Sequence, residues 1–564
     1  MNKIKVAIVI LSIFLYQLLF ASQLHVPIID PIYLYLDKMA TSGLLPGYLN
    51  DTKPLNRDRI AQLLVELNNY RVELSAVDMQ ILDEYIADYR FELGNLKHFR
   101  LVEPDQKVYF ALSSIKNIKE GIKDIFIYQP KQEDQHILVY ETDNEFVWID
   151  WDEMVRYEMK NDIGRIITQD AIRFSSQIGK NFCVYFDGYR YLQLQREGFN
   201  EPADEFKGGL FPTHDEGVKF HSFDYSSAYL QLTSKIGCFE IGIEPLHWGN
   251  SENSMILSSN AAPFPFISWR KQFHRSIFTF FHGSLMPSEF ERDSVTNEKI
   301  YAQKYIAAHR WEVELSKKLH FAFSELYFYG NRNPELVYLV PTVVLWPTQH
   351  NLNDRDNATM ALELEYFPFK GWKIYGTLFL DELRPSDLFS QWWGNKHGVQ
   401  AGIHFVPNIK TISTDFRAEF TAIRPWTYTH KYYYNSYTHN GVDLGFYGGP
   451  NSQLLSLENR LWLTKKQTFF IKCYQFKHGQ DFDDPSNENY FPVGGNSNQN
   501  YNERNHKYDN STKWLMGNVT TIRALDLKWY YQWRNEICFE ISYRKQWVDS
   551  KANDFISFQI HLDY

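Results

Sequence analysis

Seven residues, Arg310 to Ser316, read RWEVELS and alternate strictly in character. Trp311, Val313 and Leu315 fall on one side of an extended chain, and Arg310, Glu312, Glu314 and Ser316 on the other. A strand sends successive side chains to opposite faces, so this segment meets an apolar medium on one face and a polar one on the other. MALELEY repeats the pattern, with Met360, Leu362, Leu364 and Tyr366 against Ala361, Glu363 and Glu365. LSLENRLWL sets Leu455, Leu457, Leu461 and Leu463 against Glu458, Arg460 and Trp462. NEICFEISYRK sets Ile537, Phe539, Ile541 and Tyr543 against Glu536, Cys538, Glu540, Ser542 and Arg544.

A soluble sandwich also alternates, but three features separate it from a membrane barrel. The apolar positions are large and often end in Tyr or Trp, as lipid-facing strands with interfacial girdles do. The opposite face carries both signs of charge, as a polar lumen with pairs across it would. No second set of strands is apolar on both faces, as the central strands of a thick soluble protein tend to be. The C-terminal stretch DFISFQIHLDY adds a strand ending on an aromatic, with Phe558, Ile560, Leu562 and Tyr564 on one face. Such a strand resembles the signal that outer-membrane barrels present to the barrel assembly machinery. The fold class expected is mainly β: a large transmembrane antiparallel β-barrel with a small N-terminal helical bundle, since only helices and closed barrels satisfy every backbone group in lipid.

Composition agrees with that class. The 564 residues carry 58 Lys and Arg against 68 Asp and Glu, a net charge of −10, and 17% of them are aromatic. That charge advertises no face for nucleic acid. Lys3 and Lys5 precede an apolar run from Val6 to Phe20, followed by Ala21 and Ser22. The order is that of a secretory signal, and the run is short of the ~20 residues a spanning helix needs. Residues 1–22 are therefore expected to direct export, with outer-membrane lipid as the final surroundings. Cys183, Cys238, Cys473 and Cys538 are far apart, lack metal-ligand spacing, and read as small buried residues.

Helix signals occupy residues 30–93. Ile32, Leu36 and Met39 recur at helical spacing before Gly43; Asn56 is a candidate cap before Ile60, Leu63, Leu64 and Leu67; Ser75 and Asp78 have capping-box spacing. This bundle is too small to stand alone and is expected to dock as a periplasmic plug. Residues 94–145 read as a connector or small β-rich insert, and 146–564 as the barrel. At about 9–11 residues per strand plus connections of similar length, the chain beyond residue 162 allows roughly 16–20 strands, an even number.

One segment breaks the pattern. HWGNSENSMILSSNAAPFP, His247 to Pro265, mixes amides, hydroxyls, small residues and bulky apolar groups. Its Ser and Asn side chains can satisfy backbone where the chain bends into the lumen, and Ala261 and Ala262 allow close approach. Pro263 and Pro265 should end strand pairing, with Phe264, Phe266 and Trp269 near the lipid boundary. This segment, with Trp248, Gly249, Ile256, Leu257, Ser258, Ser259, Asn260, Ala261 and Pro263-Phe264-Pro265, follows the helical stretch YLYLDKMATSGLLPGYLNDTKPLNRDRIAQLL. Together they resemble the Wzi-type capsule assembly family of outer-membrane proteins. The resemblance spans residues 30–93 and 146–564. It implies about 18 strands, a helical bundle at the periplasmic mouth, and a lectin-like role in holding capsular polysaccharide or exopolysaccharide at the cell surface.

Sugar recognition uses flat rings against apolar sugar faces and planar amides or carboxylates for hydroxyls. Candidate glycan contacts are Trp248, Asn250 and Asn260 in the inward segment, and Tyr432, Tyr433, Tyr434 and Tyr437 in THKYYYNSYTHN. The tyrosines could equally form an interfacial girdle. YFPVGGNSNQNYNERNHKYDNSTKW is long, polar and aromatic, as an extracellular loop would be, and Arg504, His506 and Lys507 could grip an acidic polymer locally. No Ser/His constellation supports hydrolysis, and His214, Asp215, Glu216 and His221 match no metal spacing, so neither catalysis nor a cofactor is expected. The alternative function is a porin or channel, as a barrel this wide holds an aqueous lumen unless it is plugged.

Overall fold

The computed structural model describes residues 24–95, 107–110, 136–142, 144–179, 181–195, 220–345, 347–348, 355–382, 384–387, 390–482, 491–534 and 537–563. The export segment, His214, Asp215, Glu216 and Tyr564 lie outside these residues.

Eighteen antiparallel strands close into a barrel. The first nine are β1 (Phe146–Lys160), β2 (Ile163–Ile178), β3 (Phe182–Gln195), β4 (Phe220–Ser234), β5 (Gly237–Glu244), β6 (Phe264–Gln272), β7 (Ser276–Leu285), β8 (Lys304–Ser316) and β9 (Leu319–Gly330). The rest are β10 (Asn357–Tyr366), β11 (Trp372–Glu382), β12 (Lys396–Phe405), β13 (Ser413–Ile423), β14 (Ser452–Thr464), β15 (Gln467–Gln480), β16 (Asn518–Arg534), β17 (Ile537–Val548) and β18 (Lys551–Asp563). Each pairs with its sequence neighbour, and β18 closes on β1 from Phe555 opposite Lys160 to Asp563 opposite Asp152. The first residues of β1 pair instead with a short strand, Leu138–Glu141, which in turn pairs with Lys107–Phe110.

The dyad pattern sorts as a lipid-facing barrel requires. Trp311 is 52% exposed while its neighbour Arg310 is 1% exposed. Leu362, Leu364 and Tyr366 face out, whereas Ala361, Glu363 and Glu365 are buried within. Leu455, Leu457, Ile541 and Phe558 continue the apolar outer band. In water this band would be a very large exposed apolar patch; against acyl chains it needs no cover. The strand pattern is that of a multi-pass membrane β-barrel.

At one end of the barrel the connections are short, among them 235–236, 317–318 and 465–466. The other end carries long connections at 286–303, 331–356, 424–451 and 481–517, beside two tight hairpins. Short turns mark the periplasmic side in barrels of this class. Four helices cap that end: α1 (Ile32–Thr41), α2 (Arg57–Asn68), α3 (Ala76–Asp88) and α4 (Arg90–Asn95). Ile32, Leu36, Met39, Ile60, Leu63, Leu64 and Leu67 form their shared core. Gly43 ends the first helical stretch with a φ of +79°, a conformation costly for residues with a Cβ. Ser75 caps α3 by accepting from the Asp78 amide at 3.0 Å. Asn56, by contrast, makes no side-chain cap bond; it only turns the chain into α2 through extended backbone.

The helices are tied to the periplasmic turns. The Gly371 amide donates to Thr41 and the Ala76 amide to Lys410, both at 2.8 Å. Inside the lumen, Thr52-Lys53 pairs as a short strand with His247-Trp248 of the inward segment. That segment in turn meets the outer connection 424–451, where the Tyr428 and Tyr437 hydroxyls both donate at 2.7 Å, to the Met255 and Ile256 carbonyls respectively. Helices, inward segment and outer connection are thus stacked along the barrel axis.

Three expectations need correction. Phe264 and Phe266 point inward, packing on Trp248 and Phe281, because the even-numbered residues of β6 face the lumen. Trp269, on the odd face, donates its indole to the Ile236 carbonyl at 3.1 Å near the periplasmic rim. Pro265 does not end pairing; it lies opposite Ile243 within the β5–β6 ladder. Of the four cysteines, none forms a disulfide, only Cys183 is buried, and Cys473 is exposed on the barrel exterior.

Candidate functional site

The lumen-facing charges of the barrel wall converge on the plug. Asp37 on α1 accepts from Lys373 of β11 at 2.5 Å and from Arg417 of β13 at 2.8 Å. Burial alone would raise the Asp37 carboxyl, but Lys373, His404 and Arg417 together hold it well below the usual carboxylate range. Arg310 bonds the Thr52 hydroxyl at 2.8 Å and pairs with Glu363, which also accepts from the Asn250 amide at 3.0 Å. Arg460 reaches Glu252 of the inward segment at 2.5 Å, and Glu419 accepts from Ser251 and Asn253. The alternating Glu and Arg residues of the sequence are therefore the clamps that hold the plug.

Of the residues expected to touch sugar, Trp248, Asn250 and Tyr437 are buried within the lumen, and Asn250 joins these clamps through its amide bond to Glu363. Trp248 is 1% exposed and packs edge-on against Phe281 at 5.0 Å. The Asn250 side chain donates to the Gly376 carbonyl at 3.3 Å and accepts from Thr377 at 3.1 Å. Asn260 donates to the Asp443 carbonyl at 3.1 Å. Tyr437 is fully buried beneath the outer connection. Their roles are to satisfy backbone and fill space where an irregular chain crosses the lumen.

Tyr432, Tyr433 and Tyr434 are placed differently. They sit in the outer connection over the mouth rather than in a membrane-spanning strand. Tyr432, 41% exposed, stacks on Tyr434 with ring centres 5.3 Å apart and planes 5° from parallel. Next to them the His430 ring meets Tyr432 at 5.6 Å and Tyr501 at 5.7 Å, and Tyr501 meets Trp393 at 5.3 Å. Cations cover these rings: Arg504 lies 3.7 Å from the centre of Trp393, Lys396 4.2 Å from Tyr501, and Arg384 4.2 Å from Trp392. Arg504 is steadied by Asp509 at 2.8 and 3.1 Å. His430 is pushed down to about 3 by burial and then by Lys396 and Lys431, so it is neutral here.

Three connections, 383–395, 424–451 and 481–517, thus bring planar rings and guanidinium or ammonium groups together at the outer mouth. His506 and Lys507 flank the cluster as exposed groups. Trp392, Trp393, Lys396 and Tyr501 were not apparent from the sequence. For Tyr501 the signal was its place in the polar, aromatic segment Tyr490–Trp514; for Trp392 and Trp393 it was the Trp-Trp pair in SQWWGNK, a costly thing to place in a polar loop without a use.

The family described as capsule assembly protein Wzi matches residues 158–549. The chain belongs to this family. Among solved structures, Wzi of Escherichia coli, described as an outer membrane protein involved in group 1 capsule assembly and a carbohydrate-binding β-barrel, superposes with a TM-score of 0.55 at 12% identity. The match covers 96% of this chain and 98% of that one, so the two share a fold. OprD of Pseudomonas aeruginosa matches at a TM-score of 0.40 and 9% identity, over 74% of this chain and 95% of its own. No curated protein sequence matches. Membership of the Wzi family makes this a capsule-related outer-membrane protein.

Proposed function

We infer that the protein holds capsular polysaccharide or exopolysaccharide at the cell surface, non-catalytically, through the ring and cation cluster at its outer mouth. The carrying observation is the stacked Tyr432–Tyr434 pair beside Trp393, Tyr501, Lys396 and Arg504. The exposed Tyr432 ring offers a surface to the C–H faces of pyranoses, Arg504 and Lys396 hold the Trp393 and Tyr501 rings behind it, and exposed His506 and Lys507 are the groups placed to meet sugar carboxylates or hydroxyls. A net charge of −10 gives no bulk attraction for an acidic polymer, so local cations must supply the grip. The carbohydrate binding described for the E. coli relative supports the same ligand class.

The test is polysaccharide retention. A deletion strain complemented with the native chain should recover cell-attached polymer, while Tyr432→Ala/Trp393→Ala should shed it into the medium. An unchanged attached fraction in the deletion strain overturns the reading. The channel alternative has less support, because the helices cap the periplasmic end while the inward segment and the outer connection fill the lumen above them. Planar-bilayer recording should find the native chain nearly silent; a large steady current would favour transport instead.

A further inference from the structure

On the side of the lumen bounded by β3 and β4, the wall carries a ladder of rings. Tyr185 stands opposite Tyr229, Tyr189 opposite Tyr225, and Tyr191 opposite Phe223. The pairs are stacked with centres 5.0, 4.9 and 4.8 Å apart and planes within 14°, 17° and 6° of parallel. Phe186 and Leu230, exposed on the barrel exterior, occupy the alternate positions, so the ladder faces in. Asp187 lies within it, accepting from the Tyr185 hydroxyl at 3.0 Å and the Tyr189 hydroxyl at 2.6 Å. These bonds fix the planes of the rings.

A packed core would cover such faces. The rings overlap one another only in part, and Tyr185, Tyr189, Tyr191, Tyr225 and Tyr229 border a cavity of about 320 Å³ that is also lined by Ala261, Ala262 and Pro263 of the inward segment. Pro27 and Ile28 contribute to its lining near Tyr185 and Tyr229, and the ladder climbs from there toward the ends of β3 and β4 at the outer mouth. The volume falls in the range of about 300–1,000 Å³ usual for small-ligand sites, and the lining has the same make-up: mostly apolar and aromatic, with a few fixed polar groups.

We propose that this chamber is a second saccharide site, which takes a neutral sugar unit with its C–H face laid on the tyrosine ladder. The charge of the lining sets the preference. Asp187 is the acid within the ladder, and Arg173 is already engaged by Asp187 at 3.5 Å and Asp563 at 3.7 Å. His25 adds no cation, since burial draws it down to about 4, against the pull of Glu240. A uronate would meet the Asp187 acid with the nearby Arg173 already engaged, whereas a neutral sugar brings no charge to satisfy. The ligand class rests on the reading of the protein as a polysaccharide holder; the location of the chamber does not.

Saturation-transfer NMR on the full chain in detergent, with methyl glucoside, methyl galactoside, N-acetylglucosamine and glucuronate as probes, tests the site. The neutral probes should bind and glucuronate should bind at least about tenfold more weakly. Tyr189→Ala/Tyr225→Ala should weaken neutral-sugar binding by about tenfold or more, Tyr189→Phe should retain it, and Leu455→Ala on the lipid face should leave it unchanged. If the double alanine variant fails to fold, Ala261→Trp, which fills the cavity from the inward segment, should abolish binding. No neutral sugar bound by the native chain, or unchanged binding in variants that still migrate as folded barrels, overturns the proposal. Retention of polymer by cells is read separately at the outer mouth, so failure there leaves this result standing, and the converse holds.

Discussion

Arg417, on the lumen face of β13, donates to Asp37 of α1 at 2.8 Å, bridging barrel wall and plug across 380 residues of chain. Lys373 reaches the same carboxylate from β11. One buried acid thus receives two cations from two strands, and the helical cap is fixed in rotation as well as depth.

Asp37→Asn should therefore loosen the cap. Removing one member of a buried ion cluster leaves the others uncompensated, at a cost of about 3–5 kcal/mol. The midpoint of heat-modifiable gel migration should fall, and limited proteolysis should cut α2 and α3 in the variant before the native chain. An unchanged midpoint would show that the clamp contributes little.

Asp51 predicts the opposite response. Burial pushes it well above the usual carboxylate value, and Glu365, Glu312 and Glu363 push further while Arg310 opposes them. Its folded form holds its proton more tightly than its unfolded form, so stability is lost as pH rises from the unfolded pKa of about 4 through the folded value. Asp51→Asn should be neutral or stabilising at pH 7 in the same migration assay, where Asp37→Asn is destabilising.

The acid limb follows from Asp37. A carboxyl depressed in the folded state contributes stability above its unfolded pKa of about 4, and that stability disappears as pH falls toward the folded value. Native protein should lose plug protection below about pH 4, measured by protease cleavage of the helices. Asp37→Asn should lose less protection over the same interval, because it starts without that contribution.

At the outer mouth, Tyr432→Ala and Tyr434→Ala should each weaken binding of isolated polymer by roughly 0.5–1.5 kcal/mol, the range for stacked aromatic contacts. Lys507→Gln should weaken an acidic polymer more than a neutral one, with the difference shrinking in high salt. Equal effects on both polymers would remove Lys507 from the grip.

Cys473 offers a check of the lipid face. It is exposed on the exterior of β15, while Cys183 is buried. A maleimide, which reacts with the thiolate, should leave Cys473 unmodified in outer-membrane vesicles and label it once denaturant strips the lipid away; labelling in intact vesicles would place Cys473 in water.

The barrel was legible because its signal is repeated and local. Trp311 beside Arg310, or Leu364 beside Glu363, states a two-sided environment within two residues. The helical cap was legible for the same reason, from Leu63, Leu64 and Leu67 on one face of α2. The site was harder to read. Trp248 and Tyr437 have the composition of a sugar platform, and only their burial against Phe281 and Ile256 reveals their structural work. Trp393 and Arg504 are over a hundred residues apart and meet only because two connections fold across the mouth. No period announces such a meeting. The Tyr189–Tyr225 pair was hidden differently: its residues were visible, but cross-strand register and the empty space before them are properties of the folded lumen.

The short strand Leu138–Glu141 has a consequence for the seam. β18 pairs with β1 from Lys160 to Asp152, and the earlier residues of β1 take a different partner on that edge. Leu138–Glu141 occupies that edge from Ile149 to Phe146. Sheet edges left bare recruit foreign strands. Lys107–Phe110 pairs with the far side of Leu138–Glu141, so two short strands ahead of the barrel hem the β1 edge and move any strand addition away from the barrel wall.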